Sequence, residues 1–128
     1  MNPRMGFQYV VLRCVPRVDR EEFMNVGVVL YCQQAEFLEA RCSVDPDRLT
    51  ALWADLDLSA VRSALSAIEA VCRGDQAAGA AGQAAMGVRF GFVKAPRSTV
   101  VQPGPVHGGT TEDPAAELGH LVERLVLS

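Results

Sequence analysis

Residues 7–15 (FQYVVLRCV) are apolar at nearly every position, with Phe7, Tyr9, Val11 and Val15 on one side and Val10, Leu12 and Cys14 on the other. A run rich in β-branched and aromatic residues, closed by Pro16, predicts a strand. Apolar residues on both of its sides predict an interior strand covered on two faces. Residues 26–33 predict a second strand and residues 37–44 a third. In the third, Leu38, Ala40, Cys42 and Val44 alternate with Glu39, Arg41 and Ser43, the pattern of a half-exposed antiparallel strand. Only residues 34–36 separate the second strand from the third, which predicts a hairpin.

The period then changes. Asp45-Pro46 opens a helix, with aspartate as cap and proline in the first turn, and Leu49, Leu52, Trp53 and Leu56 recur on one face. A second helix runs to about residue 73 on the stripe Leu58, Val61, Leu65, Ile68 and Cys72. Residues 74–87 (GDQAAGAAGQAAMG) predict a flexible Gly/Ala-rich connector. Residues 88–94 resume alternation through Val88, Phe90 and Phe92 and predict a strand. Residues 95–109 predict an extended loop around a short strand at 99–102. Asp113-Pro114 opens a last helix carrying Leu118, Leu121, Val122 and Leu125. The expected fold is α+β, in the order β-β-β-α-α-β-β-α. It is a single sheet of four to five mostly antiparallel strands, with three helices packed mainly on one face, in one domain over residues 1–128.

Composition narrows the function. The 128 residues are 49% hydrophobic and 21% charged with net charge −3, ordinary globular values that disfavour a nucleic-acid binder. No apolar run approaches a membrane span, and the start holds no secretory core. Cys14, Cys32, Cys42 and Cys72 form no C-x-x-C pair and sit in apolar stretches. They are read as buried reduced thiols, which points to a reducing cytoplasm and gives no metal site. No nucleophile elbow, Walker lysine, zinc-protease helix or dinucleotide fingerprint is present. No catalytic residue and no cofactor is assigned, and the reading leans away from an enzyme.

Two segments are more polar than a connection requires. Residues 16–25 (PRVDREEFMN) hold Arg17, Arg20 and Asn25, and residues 95–109 hold Arg97, Ser98, Thr99 and His107. Residues 76–111 carry three basic residues and no acid. Arginine takes a phosphate or carboxylate through parallel hydrogen bonds, and Asn, Ser and Thr can complete the grip. These seven residues are therefore the candidate ligand-binding set. The expected function is a non-catalytic binding or regulatory module with an Arg-rich anion- or partner-binding site. The competing reading is a small enzyme acting on a phosphate- or carboxylate-bearing substrate, with Arg17, Arg20 and Arg97 as clamp and His107 or Glu21 as acid/base.

Two longer stretches, YVVLRCVPRVDREEFMNVGVVL from residue 9 and RFGFVKAPRSTVVQPGPVHGGTTEDP from residue 89, resemble the two signatures of a bacterial family, domain of unknown function 3037. The resemblance spans nearly the whole chain. It implies a small bacterial cytoplasmic protein with no established activity, and a protein partner of the HipA kinase-like type. A small anionic ligand remains the second expected partner, with no nucleic acid and no membrane.

Overall fold

The computed structural model describes residues 3–97 and 99–128. Strands β1 (Met5–Cys14), β2 (Met24–Cys32) and β3 (Phe37–Cys42) form the antiparallel meander that the apolar runs predict. The hairpin between β2 and β3 closes at Glu36, whose N–H donates to the Gln33 carbonyl and whose φ of 51° lies in the left-handed region. Two further strands, β4 (Val101–Pro103) and β5 (His107–Thr111), lie one after the other along the remaining edge of β1. The result is one five-stranded antiparallel sheet in the order β3-β2-β1, with β4 and β5 both on β1.

Helices α1 (Pro46–Leu52), α2 (Leu58–Arg73) and α5 (Pro114–Val122) each begin on an aspartate, α1 and α5 where Asp45-Pro46 and Asp113-Pro114 predict. Asp45, Asp57 and Asp113 accept from the amides of Arg48, Ala60 and Ala116. Each such cap is worth about 1 kcal/mol, because it satisfies an amide that the first turn leaves open. One face of the sheet, carrying Val10, Leu12, Cys14 and Val29, packs on Leu49, Val61, Leu65 and Ile68. The other, carrying Phe7, Val28, Leu30 and Cys32, is covered by Leu118 and Leu121 of α5 and by Val126 of a π-helical turn, Glu123–Leu127. Strand β1 is thus interior and buried on both faces, as its composition requires.

Three expectations are corrected. Residues 88–94 belong to helix α4 (Met86–Lys94), so the fourth strand of the expected order is absent. Alternation over seven residues also fits a helix, and here Phe90 and Val93, three apart, turn inward while Val88 and Phe92 stay exposed. The connector at 74–87 winds into a 3-10 turn, Gln76–Ala78, and a short helix α3 (Ala80–Gln83), as its alanines favour. Strand β5 falls where an extended loop is expected. His-Gly-Gly-Thr-Thr has little strand propensity, but Gly109 stands opposite Phe7, and a Cβ there would come within 2.8 Å of Phe7 Cζ. The aromatic ring fills the space a side chain would occupy, so packing overrides propensity.

Candidate functional site

The end of β1 carries the least ordinary geometry in the molecule. In register, Leu12 stands opposite Gly27 and Arg13 opposite Asn25, so Val26 is an extra residue and β2 bulges. A bulge re-aims the side chains beyond it. Here it sets Asn25 beside Arg13, on the face that α5 covers. Gly27 suits this point because a Cβ would lie 3.0 Å from the Arg41 carbonyl oxygen and from Cys42 Sγ.

Arg13 lies flat. Its guanidinium carbon is 4.2 Å from the centre of the Phe23 ring, a cation–π contact. On the β4 side, a Cβ at Gly104 would come within 3.1 Å of its Nε. The guanidinium is therefore clamped between an aromatic ring and a glycine. Among the described residues, Nε is buried and meets no hydrogen-bond partner. Asn25 and Gln102 flank Arg13 in register on β2 and β4; their amide nitrogens donate to the Leu125 and Thr99 carbonyls. Arg13 as a whole is half-buried, so the clamp remains open to solvent on one side.

A groove begins at Phe23. Two hollows of about 290 and 90 Å³ share Met24, Asn25, Arg48 and Val126 between the start of β2, helix α1 and the π-helical turn. Phe23, 45% exposed, supplies an apolar lip and Arg48 a positive charge.

The sequence-derived candidates are dispersed. Arg17 and Arg20 share a shallow cleft with Leu52 and Trp53. Each is engaged by an acid two residues on, Arg17 by Asp19 and Arg20 by Glu22. The hydrogen bond between Arg17 and Asp19 holds the guanidinium pKa above its ordinary value and the carboxyl below it. Arg97 lies in a different hollow, over α2 and α4, where Nη2 donates to the Phe92 carbonyl at 2.6 Å. The Thr99 hydroxyl donates to the Val101 carbonyl, and Ser98 falls outside the described residues. His107 is exposed on β5 with its ring stacked on Tyr9, centroids 5.2 Å apart. Asn25 alone of the set lines the groove. Phe23 and Arg48 line it too, and the Arg13 clamp adjoins it through Phe23; none of the three was singled out on composition. A charge within an otherwise apolar interior strand was the signal for Arg13.

The match of a family model now decides membership: the family described as protein of unknown function (DUF3037) covers residues 9–126. The chain belongs to this family. No curated protein and no solved structure matches it. The DUF3037 match includes both polar segments, the Arg13 clamp and the groove, so the site lies within the shared domain. Among the described residues, no helix is long and apolar enough to cross a membrane.

The four cysteines are free thiols, and burial pushes Cys14 up. Cys42 and Cys72 are pushed up to about 12, chiefly by burial, with Glu69 adding to both and Arg89 opposing at Cys72. A raised thiol pKa favours the fold fully below the unfolded value of 9.0, and the contribution is lost as pH rises from there toward 12. The unfolding free energy from urea titration is therefore expected to fall between pH 9 and pH 11, by roughly 2 kcal/mol per thiol. The Cys42→Ala, Cys72→Ala double variant should flatten that fall, and an unchanged slope would contradict the assignment.

Proposed function

We propose that this DUF3037 chain is a non-catalytic binding or regulatory module that takes a carboxylate or phosphate on Arg13. In this reading Arg48 supplies a second charge and Phe23 an apolar edge. The carrying observation is the clamped guanidinium with its buried, unpartnered Nε. A guanidinium N–H withdrawn from water without an acceptor is costly, and an anionic group on the ligand offsets that cost with a charge-assisted bond to the cation. The cleft holding Arg17 and Arg20 suits this role less, since Asp19 and Glu22 already neutralise both.

The competing enzymatic reading needs an acid or base beside the arginine clamp. His107 stands across from Tyr9, whereas Arg17 follows the far end of β1, on the order of 16 Å away along the strand. That separation takes His107 out of the clamp and leaves the enzymatic reading resting on Glu21, which favours binding over catalysis. The partner we infer is a protein presenting an acidic group, with the HipA kinase-like protein implied by the family resemblance as first candidate. We place the complex in the cytoplasm, where the thiols stay reduced.

Side-chain NMR gives the direct test. The Arg13 Nε–H should appear as a slowly exchanging resonance that shifts on titration with inorganic phosphate or succinate. Arg13→Gln should abolish saturable binding, weakening it at least tenfold, while the backbone amide spectrum of the sheet is retained. A silent Nε–H in wild type, together with an unfolded Arg13→Gln variant, would make Arg13 a structural residue and end the reading.

A further inference from the structure

The outer edge of β5 carries a contact that neither the fold nor the proposed site requires. Gly104 donates to the Val11 carbonyl and Val15 to the Val100 carbonyl, so odd-numbered residues of β1 direct their backbone groups toward β4 and β5. In the antiparallel register Phe7↔Gly109 and Tyr9↔His107, His107, Gly109 and Thr111 therefore bond inward. Gly108 and Thr110 direct their N–H and C=O groups outward, along an edge that no strand covers among the described residues. Within the described residues, one of these outward groups is occupied. Arg4 reaches across Gly6, and its Nε donates to Thr110 Oγ1 at 3.0 Å while Nη2 donates to the Thr110 carbonyl at 2.6 Å.

We propose that the β5 edge is a self-association site for a second copy of this chain, held closed by Arg4. Open edges pair with other strands unless charge, proline or a covering group prevents it. Residues 107–111 contain neither acid, lysine nor proline. A two-fold pivot at Gly109 fits an identical partner. In an antiparallel pair centred on Gly109, Gly108 of each copy meets Thr110 of the other, and all four outward residues exchange both of their bonds. The centre is a non-hydrogen-bonded position, where backbones approach to about 4.5 Å, and glycine there leaves the approach clear. That pairing requires the Thr110 carbonyl, the group Arg4 holds. The guard therefore acts on a bond the dimer cannot forgo, and Arg4 sets how far the chain self-associates.

Sedimentation equilibrium from 10 µM to 1 mM tests this. Arg4→Ala is expected to dimerise at least tenfold more tightly than wild type, with Arg4→Lys in between. Adding Gly108→Pro, which removes an outward N–H, should return Arg4→Ala to monomer. Hydrogen exchange gives a second readout: in Arg4→Ala, the Gly108 and Thr110 amides should gain protection as concentration rises. Identical association of wild type and Arg4→Ala, or a dimer that survives Gly108→Pro, overturns the proposal. Pairing only with a different protein's strand would overturn the choice of occupant.

Discussion

Phe90→Ala is expected to cost about 3–5 kcal/mol of stability, and Phe92→Ala, two residues away, less than about 1 kcal/mol. Phe90 is 1% exposed, with its ring 5.2 Å from that of Tyr31, in the core against α2; Phe92 is 53% exposed. The contrast is a consequence of helical spacing. On a strand, residues 88, 90 and 92 share one face, so truncating either phenylalanine would open the same core. On α4 the two phenylalanines are 200° apart about the axis, and Val93 joins Phe90 inside instead. Urea unfolding of the two variants reads the difference directly. Comparable costs would restore residues 88–94 to the sheet.

The same pair shows where a sequence stops determining its structure locally. Strands β1 to β3 are readable because their apolar runs are too dense for any surface element. Helices α1, α2 and α5 are readable because each opens on an aspartate that caps it. Residues 88–94 offer neither signal, and their alternation fits both periods. Strand β5 has little propensity of its own and exists because Phe7 packs against Gly109.

At the candidate site, residue type misled in an instructive way. Arg17 and Arg20 have the chemistry of an anion grip, but Asp19 and Glu22 stand two residues on, close enough to engage each guanidinium. Exposed pairs of this kind add little stability, yet they occupy the donors that a ligand would need. Arg13 was read as one member of a core strand. Its clamped geometry depends on Phe23 and Gly104, ten and ninety-one residues away, which only the register brings together. Asn25 stands out in the sequence because the polar segment before β2 contrasts with its apolar neighbours.

Arg89→Met is expected to destabilise the fold by about 2–3 kcal/mol. Helix α2 ends at Gly74, whose φ of 74° admits the left-handed turn and whose N–H reaches the Ala70 and Val71 carbonyls. The last carbonyls of a helix lack partners within it and carry its partial negative charge. Arg89, from α4, supplies what is missing: Nη1 donates to Val71 at 3.2 Å and to Cys72 at 2.6 Å, while Nε holds the Ala84 carbonyl at 3.0 Å. One side chain thus fastens α4 and the glycine-rich turns to the end of α2. Methionine keeps the apolar stem and removes the bonds, so three part-buried carbonyls lose a charged donor at once. Lysine should recover less than half, because a single ammonium cannot span three acceptors held by a planar fork. The measurement is the urea midpoint at constant m-value. A loss below about 0.5 kcal/mol in Arg89→Met would mean that packing of Phe90 and Val93 alone seats α4, and that the folding of residues 74–87 does not depend on the guanidinium.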